Sequence, residues 1–340
     1  MNYTGHGQKE RLKDMLMRKR YRVILAAAAA AMAVVWGGVS LQAYKNNAKL
    51  QGKLVFANAF DQGHKINRIV ITTAEDVTEL KQENSYWRVV NKGNYYADFG
   101  LVHRFLSSAN KSAYMIKLPY DAKLAKEKYL LNPEEEKEDS GLLIRTYIDN
   151  TLLDEVIIGL PDDEGRYFFA RNVHSNEIWL INGDFNLPIM SEYWLLKPVL
   201  AVSQRIVEVL SVGDETVQRE IENGPFFDDR KRIISAGPLL DVLGNVTIVN
   251  AMTAEQFKQA GFENLPSKVI RAVTFYGLEF ICTAYMAEDS KVWLNIKLST
   301  TPLPMAAVND YIRDNRLLYD GWYFEISPEQ QRILRDFRLI

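Results

Sequence analysis

The chain has 340 residues, a formal net charge of −2, 47% hydrophobic content and 25% charged residues. That excludes an intrinsically disordered or collagen-like polymer and leaves room for one or two hydrophobic cores. A single cysteine, Cys282, excludes an intramolecular disulfide, so stability has to come from packing.

Residues 1–22 are basic: Lys9, Arg11, Lys13, Arg18, Lys19, Arg20 and Arg22 stand against Glu10 and Asp14. The next run, "VILAAAAAAMAVVWGGV", carries no charge, and it extends to residue 43 interrupted only by Ser40 and Gln42. About twenty apolar residues are what a helix needs to cross a hydrocarbon layer. We therefore expect a transmembrane helix over 23–43, with residues 1–22 kept in the cytoplasm by the positive-inside rule. A cleaved signal peptide is the competing reading, with Gly38-Val39-Ser40 as its small-x-small site, but the basic region and apolar run are long for one. A buried core helix fits poorly with the flanking arginines and with Tyr21, Trp36 and Tyr44. Beyond the basic segment the remainder carries a net charge of −7. An acidic exported part does not suit a phosphate backbone, so nucleic acid is not an expected partner.

Residues 44–65 read as a juxtamembrane linker. In "INRIVITTAEDVTELKQENSYWRVV", Ile69 and Ile71 alternate with Arg68 and Val70, and short acidic and polar breaks predict a meander of strands. "DFGLVHRFLSSANK" predicts a helix, because Leu101, Val102, Phe105 and Ala109 share one face. "GLLIRTYI", "LLDEVIIG", "RYFFARN" and "EIWLING" come next as strands separated by turn formers, and "SEYWLLKPVLAV" reads as a short helix or irregular connector.

The order then repeats. "RIVEVLSVGDETVQREIENGPFFDD" echoes the first meander, and "GPLLDVLGNVTIVNAMTAEQF" echoes the first helix together with its continuation "SAYMIKLPYDAKL". "AVTFYG", "EFICTAYM" and "KVWLNIKL" supply further strands, "GWYFEIS" is matched to "GRYFFAR", and "PEQQRILRDFRLI" closes the chain as an amphipathic segment. This predicts a degenerate tandem duplication, with a first unit over 66–204 and a second over 205–340. The expected class is α+β: one N-terminal transmembrane helix, then two related α+β units with mainly antiparallel sheets.

The pattern I-x-x-I-x-I, then a Trp, an Ala-Asp at a helix start, a Tyr-centred strand and a second Trp falls here on Ile66, Ile69, Ile71, Trp87, Asp98, Tyr167 and Trp194. It resembles a family of bacterial envelope proteins known as a domain of unknown function and associated with gliding-motility-type ABC transporters. The resemblance covers about residues 54–212 well and the second half loosely. It implies a single-pass protein of the inner membrane, N-terminus cytoplasmic and bulk periplasmic, acting as an accessory partner of ABC transporter subunits. Trp87, Asp98, Tyr167 and Trp194 are its structural landmarks.

Chemistry is sparsely signalled. Asp98-Phe99-Gly100 matches a kinase metal-binding triplet, but its glycine-rich loop, strand lysine and H-R-D companions are missing, so Asp98 is expected to cap the adjoining helix. His6, His64, His103 and His174 are scattered without metal-ligand spacing, no G-x-S-x-G is present, and Cys282 sits in an apolar strand. "PEEEKED" and "PDDEG" lack the spacing that wraps calcium and read as a loop and a hairpin tip. Tyr95-Tyr96, Tyr167-Phe168-Phe169 and Trp322-Tyr323-Phe324 offer either strand core or a sugar-stacking platform. No catalytic, cofactor or metal residue is assigned. The expected function is a non-enzymatic, membrane-anchored binding or scaffold protein, with envelope glycan or lipid binding as the alternative and a hydrolase behind it.

Overall fold

The computed structural model describes residues 50–60, 66–197, 200 and 202–337. In the strand β1 (Arg68–Thr72) the alternation seen in the sequence is used directly, with Ile69 and Ile71 buried and Val70 half-exposed. It pairs with β2 (Val77–Glu83), which leads through β3 (Tyr86–Val89) to the short β4 (Tyr95–Tyr96). After the helix α2 (Phe99–Lys111), itself preceded by the single turn α1 (Ala57–Phe60), come β5 (Tyr114–Leu118), α3 (Ala122–Glu127), β6 (Leu142–Ile148), β7 (Thr151–Pro161), β8 (Phe168–Asn172) and β9 (Ile178–Ile181). These nine strands make one sheet in the order β4-β3-β2-β1-β6-β7-β8-β9-β5, antiparallel at every pairing.

The second half repeats the layout. Its strands are β10 (Val207–Val212), β11 (Glu215–Gln218), β12 (Phe226–Phe227), β13 (Ile233–Ile234), β14 (Ile248–Thr253), β15 (Ser267–Thr274), β16 (Leu278–Met286), β17 (Val292–Thr300) and β18 (Trp322–Ile326). Their order, β13-β12-β11-β10-β15-β16-β17-β18-β14, matches the first sheet position by position. The helices α4 (Gly237–Gly244) and α5 (Ala254–Gln259) flank β14 as α2 and α3 flank β5, while α6 (Ala306–Tyr319) and the terminal α7 (Pro328–Asp336) belong to the second unit alone. The likeness extends to irregularities: β5–β9 and β14–β18 each shift register after their first pair, Tyr114 with Ile181 and Ile248 with Ile326.

The α+β class headed by a transmembrane helix is thus corrected. The described residues form two nine-stranded antiparallel sheets, a β-rich fold with short helices, and no helix among them is long and apolar enough to cross a membrane. Short helices reflect how little each buries: α3 contributes Ala125 alone and α5 Phe257 alone. The segment 23–43, where the transmembrane helix is expected, lies outside the described residues. The pairing of "GWYFEIS" with "GRYFFAR" is also revised, because β18 takes the place of β9, not β8.

One core joins the halves. Phe56 from the segment read as a linker, Ile69, Ile71, Leu80 and Phe105 from the first unit and Leu210, Leu239, Ala284, Leu294 and Phe324 from the second belong to a single buried cluster. The seam is made by Tyr95, fully buried, whose ring meets Trp322 at 4.9 Å and Phe324 at 5.1 Å edge-on and whose hydroxyl donates to Leu318 O at 3.1 Å. The turn before it has Gly93 at φ +66°, and a Cβ there would lie 2.0 Å from Ala251 O on β14, so only glycine lets the two backbones approach. In register, Ala251 pairs with Phe324 as Lys117 pairs with Trp179. Where the second unit presents an apolar edge to Tyr95, the first presents an ion pair, Lys117 Nζ to Glu177 Oε1 at 2.5 Å, with the lysine 5.8 Å from the Trp179 ring centre. Residues 52–55 also bond along the start of β5, through Gly52 N to Tyr114 O at 2.7 Å and Val55 N to Ser112 O at 2.9 Å.

Candidate functional site

The landmarks read from sequence are architectural. Asp98 accepts the Leu101 N–H at 2.9 Å and caps α2 as expected. Its own N–H donates to Trp194 O at 2.8 Å, and Ala97 N donates to Trp87 O at 2.9 Å, so Trp87, Asp98 and Trp194 come together along the edge of β4. Trp87 and Trp194 are buried, the latter donating Nε1–H to Pro188 O at 3.3 Å. Tyr167 stands apart, at the β7–β8 hairpin tip, where Asp162 Oδ1 accepts its N–H at 2.9 Å.

The other chemical candidates are dispersed. Cys282 is buried, and desolvation pushes its thiol up to about 12, far from a thiolate nucleophile. His174 is exposed and 3.1 Å from Glu155, which Arg145 also holds at 2.5 Å. His6 and His64 lie outside the described residues. Glu134 of "PEEEKED" bonds Arg145, which holds its carboxyl below the ordinary value. Among the described residues no group of three His, Cys, Asp or Glu side chains is placed to hold a metal ion. Tyr95, Tyr96, Phe168, Phe169 and Phe324 are buried, and Tyr167, Trp322 and Tyr323 are half-buried.

A site not signalled by any motif arises where the two units differ. The β8–β9 connection is the short turn 173–177, whereas between β17 and β18 the chain runs through 301–321 and forms α6. Pro302 and Pro304 stiffen the approach, and the insertion crosses directly over the β15–β16 turn. Thr301 N donates to Gly277 O at 2.9 Å and Met305 N to Tyr276 O at 3.0 Å. Gly277, at φ +86°, permits this, since a Cβ would lie 2.8 Å from Pro304 Cα.

Under α6 lies a groove of about 390 Å³, floored by Thr274, Leu278 and Phe280 and walled by Val202, Ile206, Val308 and Tyr311. Tyr276, Met305 and Ala307 complete it. Its three hydroxyls are already engaged. Thr274 Oγ1 accepts the Leu278 N–H at 3.0 Å, Tyr276 donates to Glu222 Oε1 at 2.5 Å, and Tyr311 bonds the Tyr319 hydroxyl. The Glu222 carboxylate raises the Tyr276 phenol above its ordinary value and keeps it protonated. Met305 in the lining is 57% exposed, and Leu303, two residues before it in the chain, is 93% exposed. Ile221, 68% exposed, adjoins the Glu222 that Tyr276 holds. The lining contains no carboxylate, imidazole, amine or thiol, and what the site offers is mainly apolar contact.

A second cavity, about 340 Å³, opens in the first unit beside Tyr129, Gly141, Gly159, Phe168 and Leu187. It sits at the opposite end of the strands, by the start of β6 and the end of β7, and is not the counterpart of the groove. The one signal in sequence for the groove is the extra length between "KVWLNIKL" and "GWYFEIS", with Leu303 set between two prolines. No family model, curated protein or solved structure matches the chain.

Proposed function

We infer that the protein is a non-enzymatic binding or scaffold protein, tethered to the bacterial inner membrane by its N-terminal apolar segment and displaying its twin-sheet body to the periplasm as an accessory partner of an ABC transporter. The observation that supports a binding role is the groove under α6, whose lining is apolar and whose hydroxyls are all taken up within the protein. Such a surface gains free energy by covering hydrocarbon. The tether and the transporter rest on the sequence alone: the basic flank and apolar run for the first, the family resemblance for the second.

The protein purified with a mild detergent from its own membranes should carry transporter subunits with it, identified by mass spectrometry. Recovery without any transporter subunit, under conditions that keep other membrane complexes intact, would count decisively against this reading.

Envelope glycan or lipid binding is the alternative. Of the aromatic groups considered for sugar stacking, Tyr95, Tyr96, Phe168, Phe169, Trp322 and Phe324 are taken up by the core and the seam, Tyr323 stacks on Phe257, and Tyr167 is half-buried at the β7–β8 tip. The groove favours the lipid half of that alternative. A hydrolase has the least support, since the ionisable groups near one another, Arg145 with Glu134 and Glu155 or Arg232 with Asp228, are consumed as ion pairs.

A further inference from the structure

We propose that the groove beneath α6 binds a single hydrocarbon chain, the acyl chain of a fatty acid or lysolipid, entering past Met305. The proposal rests on taking the groove as a binding site and is independent of any transporter association.

Three observations select this occupant. Each hydroxyl lining the groove has a partner inside the protein and the rest of the lining side chains are hydrocarbon or thioether, so a ligand's buried part meets mainly apolar contact. A peptide segment laid along it would bury backbone N–H and C=O groups without partners, whereas a methylene chain brings none. The volume, about 390 Å³, falls at the small end of the range of roughly 300–1,000 Å³ for small-ligand sites, enough for one chain and not for a folded element.

The groove's origin points the same way. It is made by the insertion 301–321, which the first unit lacks, so it is an addition to a fold that closes without it. The insertion supplies Met305, Ala307, Val308 and Tyr311 to the lining, with Met305 left 57% exposed. Tyr276 and Glu222 stand at the rim as the polar pair nearest a headgroup, which leaves the chain inside and the polar end in solvent. On the reading that residues 23–43 tether the protein to a bilayer, the groove would meet acyl chains at high local concentration.

The test uses the full chain in lipid nanodiscs with a diazirine-bearing palmitate, photolysed and mapped by mass spectrometry. Label is expected on peptides covering 274–280 and 303–311, displaced by excess unlabelled palmitate. Ala307→Trp, at an exposed position on the groove wall, should lower that labelling by about tenfold or more while leaving the thermal midpoint unchanged. Met305→Ser provides a second, milder probe of the same mouth. Label confined to 23–43, label spread over the surface, or equal labelling of Ala307→Trp overturns the proposal. So does an unlabelled groove that crosslinks instead to another protein, which would make its occupant a side chain of a partner.

Discussion

Asp76 binds two distant parts of the first unit through one carboxylate. It accepts the Ser191 N–H at 2.7 Å, the Ser191 hydroxyl at 2.6 Å and the Val77 N–H at 2.8 Å, tying the β1–β2 turn to the 3-10 turn Ser191–Trp194. Burial works against its charge, yet these bonds and the nearby Lys92 hold it below the ordinary aspartate value. A carboxyl depressed on folding contributes stability that is complete above its unfolded pKa and is lost as pH falls through the folded one. Asp76→Asn should therefore destabilise most at neutral pH, with the deficit shrinking below about pH 4, measured by urea unfolding at a series of pH values. An equal deficit at neutral and strongly acid pH would show that the charge is not what matters. Asp154 acts in the opposite sense: burial raises its pKa despite the N–H groups of Asn58 and Ala59 that it accepts, so its ionisation costs stability as pH rises. At the seam, Tyr95→Phe removes only the hydroxyl bonded to Leu318 O and should cost about 0.5–1.5 kcal/mol in chemical denaturation, leaving the ring contacts in place.

Among elements, those with a strong local signal are legible in the sequence. "DFGLVHRFLSSANK" announces both its cap and its buried face, and α2 runs over Phe99–Lys111 with Val102, Phe105 and Ala109 inside. Asp98→Ala should cost about 0.5–2 kcal/mol, readable as a lower thermal midpoint, because Asp98 closes the helix start. The counterpart α4 starts at Ala236 with no side-chain cap, which is why its boundary is harder to place from residues alone. Strings such as "GLLIRTYI" and "EFICTAYM" fall on β6 and β16, since β-branched runs bounded by turn formers have few other uses. The insertion helix α6 is hidden at that level. It has no capping side chain at Met305, and it buries only Val308 and Tyr319 fully, so neither start signal nor periodic stripe marks it. "GWYFEIS" points to the wrong strand for a related reason: a Gly-aromatic-aromatic string resembles β8, and only pairing with β14 and β17 shows it to be the equivalent of β9.

At the scale of the molecule, the repeated strand order comes with a shared interior. Because one buried cluster draws on both sheets, and Tyr95 of the first unit completes the packing of the second, the two should unfold together. Thermal melts monitored by far-ultraviolet circular dichroism and by tryptophan fluorescence are expected to coincide in one transition. Two separated transitions would mean that the seam is weaker than its burial implies. The α+β balance expected from sequence gives too much weight to helices, because helical periodicity is easy to see in "DFGLVHRFLSSANK" whereas pairs as short as Ile233–Ile234 acquire meaning only inside a sheet. The groove is invisible there for a similar reason: Val202, Thr274, Leu278 and Val308 share no sequence neighbourhood and meet only through the fold.

The ion pair of Lys117 and Glu177 bears on which sheet edge can receive a neighbouring unit. Units that dock one behind another by a fixed contact generate open-ended rows unless something terminates them. The edge of β14, with Phe324 and Trp322 of the adjoining β18, receives a neighbour because Ala251 is small and those rings are apolar. The matching edge of β5 carries a charged pair instead, and residues 52–55 lie along its start. A neighbour docking on that edge as Tyr95 docks on the second unit would have to desolvate this pair, so the two edges are not interchangeable as docking surfaces.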